Sequence, residues 1–463
     1  MSARHAVVIG ASISGLVAAR VLSTRFDHVT IIDRDSLPPS TDNRRGIPQG
    51  RHGHGLLASG LRSLTTLFPR LEDDLIVAGA VPGDVIGDVR WFQHGYYKAK
   101  FQSGFGGLLL SRPLLESTLR RSVSALRNVA ILDRAHVVGL ASEPSREFVT
   151  GVLVQRTDGT SAIVHGSMVI DASGRASRSP EWLDELGYKA PESQTVAVDL
   201  GYTTRTFKRR PTDLNGDIGA VIGPLPPHQK RVGFILAMEG GRWMVTIGGW
   251  LGDHAPTDAR GYVDFARSLT RPDIYDVVKD AEPLTEAVTY RFPSNLRRRY
   301  ERLTRFPGRY LVMGDAMCSF NPFYGQGMSV AALEGLALAR TLDNANASQP
   351  LWRPFFRAAA TIIETPWMIA AGSDFAFDGV TGQKSAGGGF INWYMSHVHR
   401  VASSDREVCR TFFDVANLLT PAPALFHPRM VARVVRGSLW RSSPQQMESP
   451  AVDHERRRVA RHA

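Results

Sequence analysis

Gly10-Ala11-Ser12-Ile13-Ser14-Gly15 stands between two apolar runs, His5 to Ile9 before it and Leu16 to Leu22 after it. A third run, Val29 to Ile32, closes on Asp33, with Arg34 next. The order predicts strand, glycine turn, helix, strand and acid, with the acid near the spacing of roughly 20 residues used by dinucleotide-binding units. Each residue type has a physical task there. Gly10 permits the tight turn, and Gly15 lets the helix approach the sheet. Ser12, Ile13 and Ser14 lie where a helix N-terminus offers unpaired N–H groups to a pyrophosphate. Asp33, with Arg34 beside it, sits where a ribose hydroxyl would be met. One departure is visible: such turns carry a middle glycine, and Ser12 takes its place, which keeps the backbone further from the phosphates.

A second constellation lies far along the chain. Met313-Gly314-Asp315-Ala316 ends a buried-type run that starts at Tyr310. Pro322 and Gly325-Gln326-Gly327-Met328 follow, ahead of a helical stretch from Ser329 to Arg340. An aspartate at a strand end can accept a hydrogen bond from a ribityl hydroxyl. A helix start at Gly327-Met328 can face the N1/C2=O edge of a flavin, which becomes negative on reduction. A dipole contribution of roughly 1–2 kcal/mol raises a two-electron potential by about 20–45 mV. That helps the reduced state without deciding it.

Together these motifs resemble the two FAD fingerprints of the group A flavoprotein monooxygenases, the group of p-hydroxybenzoate hydroxylase and squalene epoxidase. The resemblance covers most of the chain and implies FAD as cofactor. Arg112, at the start of the helix containing Leu115, is similar to the arginine that this group sets against the FAD ribityl-pyrophosphate. Arg51 belongs to Pro48-Gln49-Gly50-Arg51-His52-Gly53-His54. With Asp171-Ala172-Ser173-Gly174-Arg175, that stretch resembles a narrower bacterial subgroup, the polyene epoxidases of polyether antibiotic pathways. The group's middle motif has an aspartate where this chain has Ser173, and that aspartate is associated with both FAD and NADPH. Electrons are therefore expected either from NAD(P)H bound transiently or from reduced flavin delivered by a partner reductase.

The resemblance implies an FAD-dependent monooxygenase that uses O2, through a flavin C4a-hydroperoxide, to insert one oxygen atom into an apolar small molecule. Alkene epoxidation of a polyketide or terpenoid ranks first and hydroxylation next, since epoxidation needs placement and dryness rather than a protein base. No catalytic residue is named. Two rivals come from other classes: an FAD-bound, non-redox pericyclic cyclase of polyketide biosynthesis, and a geranylgeranyl-reductase-like alkene reductase. The Trp-x-Trp-x-Ile-Pro sequence of flavin halogenases does not occur, which ranks halogenation last.

Other residues carry open alternatives. Trp91, Tyr97 and Phe101, in the aromatic-rich stretch Arg90 to Gly107, join Phe234 and Trp243 as candidates to line an apolar substrate pocket, with core packing as the alternative. His52 and His54 read as hydrogen-bonded loop residues ahead of a covalent flavin link or a base. Arg44, Arg45 and Arg51 either hold a loop over the FAD or are solvated. Cys318 reads as a small buried thiol.

Behind these residues stands an α/β chain of 463 residues, with room for two or three domains. A discontinuous Rossmann-like FAD-binding domain is expected in three pieces, 1–85, 111–190 and 293–345. A substrate-domain segment at 86–110 and a β-rich substrate domain at 191–292 are inserted between them. A helical region follows at 346–441, then a polar tail, 442–463, that reads as disordered. Within the second piece, Val129–Ile131, His136–Leu140, Val149–Gln155 and Ser161–His165 read as a meander. Gly387-Gly388-Gly389 reads as a glycine run without a following helix. The net charge of +11 is spread rather than striped, which argues against a nucleic-acid ligand; it reads first as solvated surface charge, with attraction of an acidic carrier protein or anionic substrate as the alternative. Two cysteines far apart exclude a disulfide framework and a thiolate metal cluster, and no metal is expected. The stretch Ala358 to Gly372 is broken by Glu364 and Pro366 and too short to span a bilayer. With the first strand starting at once, a cytoplasmic protein is expected.

Overall fold

The apolar runs that frame Gly10 and Asp33 pair with each other. The computed structural model describes residues 4–37, 43–44, 46–345, 349–384 and 388–439. In it, five parallel strands form one sheet in the order Tyr310–Val312, Met168–Asp171, His5–Ile9, His28–Ile32, Val129–Leu132. Residues more than 300 positions apart thus meet in one layer, and Ala6, Val7 and Val8 are fully buried within it. Side chains alternate across the sheet. Val8 points to the helix Ile13–Leu22, where a Cβ on Gly15 would lie 3.5 Å from it, and Val7 points to the opposite face. That opposite face is covered by an antiparallel sheet of Ala135–Ser142, Val149–Arg156 and Ser161–His165. Val129–Leu132 does not join this meander; parallel pairing with His28–Ile32 draws it into the nucleotide sheet.

A third sheet, of nine strands, carries the β-rich region. Its path runs from Cys318–Ser319 through Val288–Arg298, Ser193–Lys208, Arg242–Gly249, Arg231–Met238, Gly219–Ile222 and Val89–Gln93 to Tyr96–Tyr97. Register assigns its two faces. Phe234 stands opposite Thr246, and Gly248 stands opposite both Val232 and Tyr202, so these residues share the face toward the nucleotide domain. Ile235, Trp243, Val245 and Ile247 occupy the other face, packed under the helices Ala259–Arg267 and Asp273–Val278.

The C-terminal part is helical, with Trp352–Asp374, Gly388–Val401, Arg406–Ala416 and Pro428–Leu439. Gly388 and Gly389 of the glycine run therefore open a helix. The expected disordered tail, 442–463, lies outside the described residues, as does Arg45. Among the described residues, no helix is long and apolar enough to cross a membrane.

Candidate functional site

The first elbow forms where the strand His5–Ile9 gives way to the helix Ile13–Leu22. Gly10 has φ of +98°, and a Cβ there would meet Ala172 O at 2.6 Å, so neither conformation nor space admits a side chain. Asp33 ties this turn to the second strand: its Oδ2 accepts from Ala11 N at 2.6 Å, and its Oδ1 accepts from Asp35 N at 2.9 Å. Arg44 lies over the same corner. Its Nη1 is 3.1 Å from Asp33 Oδ2 and 3.3 Å from Asp35 Oδ2, and its Nε is 2.8 Å from Glu116 Oε1. Burial alone would lower the Arg44 pKa, but Glu116, Asp33 and Asp35 reverse this and raise it.

Ser12, the residue that replaces the middle glycine, is a junction. Its hydroxyl donates to Glu116 Oε2 at 3.1 Å and accepts from Arg112 Nη2 at 3.0 Å. Arg112 opens the helix Arg112–Ser124, capped by Ser111 Oγ accepting from Leu114 N, as the Ser-Arg-Pro start predicts. Arg112 Nη1 reaches His54 Nε2 at 3.2 Å, and His54 Nδ1 lies 2.8 Å from His52 O. A carbonyl only accepts, so the His54 proton sits on Nδ1 and the Nε2 lone pair faces the arginine. Burial, with Arg112 adding, depresses His54 to about 3. Burial and Arg51 depress His52 to about 4. His52 Nδ1 bonds Thr204 Oγ1 at 2.8 Å, and Thr204 bonds Thr246 at 2.6 Å. Both imidazoles are neutral hydrogen-bonding parts of the loop at neutral pH.

The second elbow meets the first. Gly314 has φ of +67°, and a Cβ there would lie 2.5 Å from Ser14 Oγ. Gly314 N donates to Glu334 Oε2 at 2.6 Å, and burial pushes the Glu334 carboxyl up to about 8. Desolvation also raises the Asp315 pKa, while Arg112 and Arg175 pull it down, so both arginines sense this carboxyl. Beyond it, Pro322–Tyr324 forms a single turn and Gly327–Asp343 a helix. The loop between is fixed from the C-terminal region by Asp374, which is fully buried. Asp374 accepts from Trp250 Nε1 at 2.9 Å, Asn295 Nδ2 at 2.7 Å, Asn321 Nδ2 at 3.0 Å and Tyr324 OH at 3.2 Å. Burial lifts its pKa to about 6 against these four bonds.

Several buried polar atoms find no hydrogen-bond partner among the described residues, and four of them gather here: Ser14 Oγ, Arg112 Nε, Arg175 Nη1 and Gln326 Oε1. Native folds leave few such atoms unpaired unless a ligand or water completes them. Two of the four are donors near a carboxyl, and the others flank the two helix starts. This donor and acceptor set fits FAD.

The remaining sequence candidates divide. Gly15, Gly325, Gln326 and Met328 stand in the two elbows, and Pro322 opens the loop between Asp315 and the second helix, whereas Arg34 and Arg51 are exposed at the edge. Phe234 lines a small apolar chamber of 20 Å³ with Leu200, Tyr202, Val232 and Phe323. Trp243 and Tyr97 do not line it. Strand alternation turns Trp243 to the helix-covered face, where its Nε1 donates to Asp213 at 2.8 Å. Tyr97 packs in the same core and donates to Asp273 at 2.5 Å. Trp91 and Phe101 pack instead against the C-terminal helices, Trp91 on Phe413 at 5.2 Å. Sequence reasoning missed Glu116, Asn321 and Asp374. Glu116 had a signal, one helical turn beyond Arg112; Asp374 had none.

Comparison with known proteins finds relatives in sequence and in fold. Protein Rv3254 of Mycobacterium tuberculosis (strain ATCC 25618 / H37Rv) is 35% identical over 401 residues, 82% of each chain. Among solved structures, the flavin-dependent brominase Bmp2 superposes with a TM-score of 0.63 at 13% identity, covering 94% of this chain and 98% of its own. The p-nitrophenol 4-monooxygenase PnpA from Pseudomonas putida DLL-E4 gives 0.61 at 16% identity, covering 90% and 99%. A monooxygenase and a brominase therefore share this fold. The family described as "FAD binding domain" matches residues 4–347, and the chain belongs to it.

Proposed function

We propose that this protein is an FAD-dependent monooxygenase that transfers one oxygen atom from O2 to an apolar small molecule, by alkene epoxidation first and hydroxylation next. The observation that carries this reading is the chemical poverty of the chamber face. Leu200, Val232, Phe234 and Phe323 are apolar, Tyr202 is held in its neutral form by burial, and the nearby His52 is neutral and already bonded to Thr204. Among the described residues that line the chamber there is no charged base of the kind a phenol would need. Oxygen transfer to an alkene asks only for position and exclusion of water.

In this reading the chain's own residues bind and orient. The helix start at Ile13 and the Arg112 guanidinium would hold the diphosphate, Asp33 the ribose and Asp315 the ribityl chain, and the helix start at Gly327 would stabilise negative charge developing on the ring. FAD supplies the redox chemistry and the activation of oxygen. The chamber holds about one water as it stands, so substrate entry requires Phe234, whose ring packs on Gly53, or the loop that carries Gly53, to move. Electrons come from NAD(P)H or from a separate flavin reductase.

The test is mass analysis of products from candidate polyenes under heavy-isotope oxygen with a reductant. A gain of one labelled oxygen supports the reading. A new product isomeric with the substrate, formed without reductant, would instead establish the cyclase alternative, and a gain of two hydrogens without oxygen the reductase. Colourless protein that cannot be reconstituted with FAD defeats all three.

A further inference from the structure

A solvent-open pocket of 540 Å³ lies beside the second elbow, between the strand Val288–Arg298 and the helix Trp352–Asp374. Arg297, Arg299 and Arg302 line one wall, and Arg353 and Arg357, one helical turn apart, line the other. Two carboxylates in the lining, Glu301 and Glu364, answer these five cations, and they serve the same two arginines. Glu301 Oε1 is 3.8 Å from Arg297 and 3.2 Å from Arg299; Glu364 Oε2 is 2.9 Å from Arg297 and 4.0 Å from Arg299. Arg302 turns to Glu192 at 2.8 Å, and Arg353 gives one N–H to Thr304 O. Arg357 has no carboxylate partner among the described residues.

Burial and the neighbouring Arg297 lower the Arg299 pKa, the mark of cations crowded in a partly dry place. Arg297 is 1% exposed. Its Nη1 is held in the ion pair with Glu364, while the Arg299 Nε is buried and makes no hydrogen bond with the described residues. Guanidinium forks presented together match the oxygen geometry of phosphate and carboxylate groups. The volume lies within the range of small-molecule pockets, roughly 300–1,000 Å³, and well beyond a bare ion. We propose that this pocket binds the phosphate groups of a phosphorylated small molecule of nucleotide size, at a site separate from the FAD cleft. Arg297 pairs in register with Cys318, close after Asp315, so the occupant lies one strand from the ribityl end of the flavin site.

The test is titration calorimetry on protein held in excess FAD, with inorganic phosphate, pyrophosphate and adenosine 2′,5′-bisphosphate as probes. The bisphosphate is expected to bind at least about tenfold more tightly than inorganic phosphate. Arg353→Ser with Arg357→Ser, both on an exposed helix face, is expected to weaken it about tenfold or more while FAD content stays unchanged. Lysine at both positions keeps the charge but not the fork, and is expected to fall between. No heat with any probe, or equal affinity in the serine variant, overturns the site. Equal binding of all three probes overturns the nucleotide-sized ligand.

Discussion

At the nucleotide end of the cleft, Arg44 lies among Asp33, Asp35 and Glu116, and Arg112 is shared by Ser12 and His54. At the ring end one carboxylate, Asp374, accepts from Trp250, Asn295, Asn321 and Tyr324, none of them charged. The first arrangement is redundant, because Arg44 keeps two acids if it loses one. The second has a single centre, whose loss strands four donors at once. Damage should therefore be local at one end and global at the other. Asp374→Ala is expected to cost about 4 kcal/mol of stability, since each stranded buried donor carries a penalty of about 1–3 kcal/mol and neighbours relax in part. Chemical denaturation of the FAD-loaded protein measures it. A loss below about 1 kcal/mol would mean that water replaces the carboxylate and that the contrast is illusory.

Protonation gives the same comparison a sign. Asp374 titrates near 6 in the fold, above its ordinary value of 3.8, so the fold holds that proton more tightly and the group's contribution falls as pH rises through this window. His52 runs the other way. Its pKa is 6.5 when free and about 4 when folded, so the unfolded chain takes up the proton first as pH falls. The stability it contributes is complete above 6.5 and is lost between 6.5 and about 4. The loss amounts to about 3 kcal/mol. His52→Asn removes this component, and denaturation curves across that range should show a shallower acid decline than the native sequence. Parallel declines would refute the burial argument for this histidine.

A third expectation isolates the cofactor from the fold. In the proposed reading Asp315 receives a ribityl hydroxyl, and a hydrogen bond to a charged acceptor is worth about 2 kcal/mol. Asp315→Ala should weaken FAD binding roughly 30-fold, read by recovery of flavin fluorescence on dialysis, with folding stability almost unchanged. Retention equal to the native protein would remove Asp315 from the site.

The difference between the two ends also explains what the sequence could reveal. Asp33 and Gly10 are legible because one βαβ unit fixes their relation within a short stretch, and Asp315 because a strand end and a helix start bracket it. Asp374 is invisible in the sequence: its partners Trp250, Asn295 and Asn321 come from three separate segments, and nothing periodic in the helix Trp352–Asp374 marks its last residue. Trp243 failed for a different reason. The hairpin was legible, but aromatic content does not say which face of a strand meets the cofactor, and a shift of one residue reverses the answer. Phe234, on the other strand of that hairpin, has the opposite parity and reaches the chamber.

Ser12 tests the nucleotide end at its finest grain. Where other dinucleotide turns keep a glycine, this chain spends the position on a hydroxyl that joins Arg112 to Glu116. Its φ of −87° is open to any residue, so the backbone does not demand glycine here. Ser12→Gly removes two hydrogen bonds and gives the phosphates a closer approach, two effects of opposite sign. Ser12→Ala removes the bonds alone. If the junction positions Arg112, the alanine variant should bind FAD about fivefold more weakly, corresponding to about 1 kcal/mol for a net hydrogen bond, and glycine should recover part of that. Because Arg44 and Arg120 still hold Glu116, neither variant should lose measurable stability. Tighter binding in both variants would show that the hydroxyl obstructs the diphosphate, and the redundancy assigned to this end would then rest on Arg44 alone.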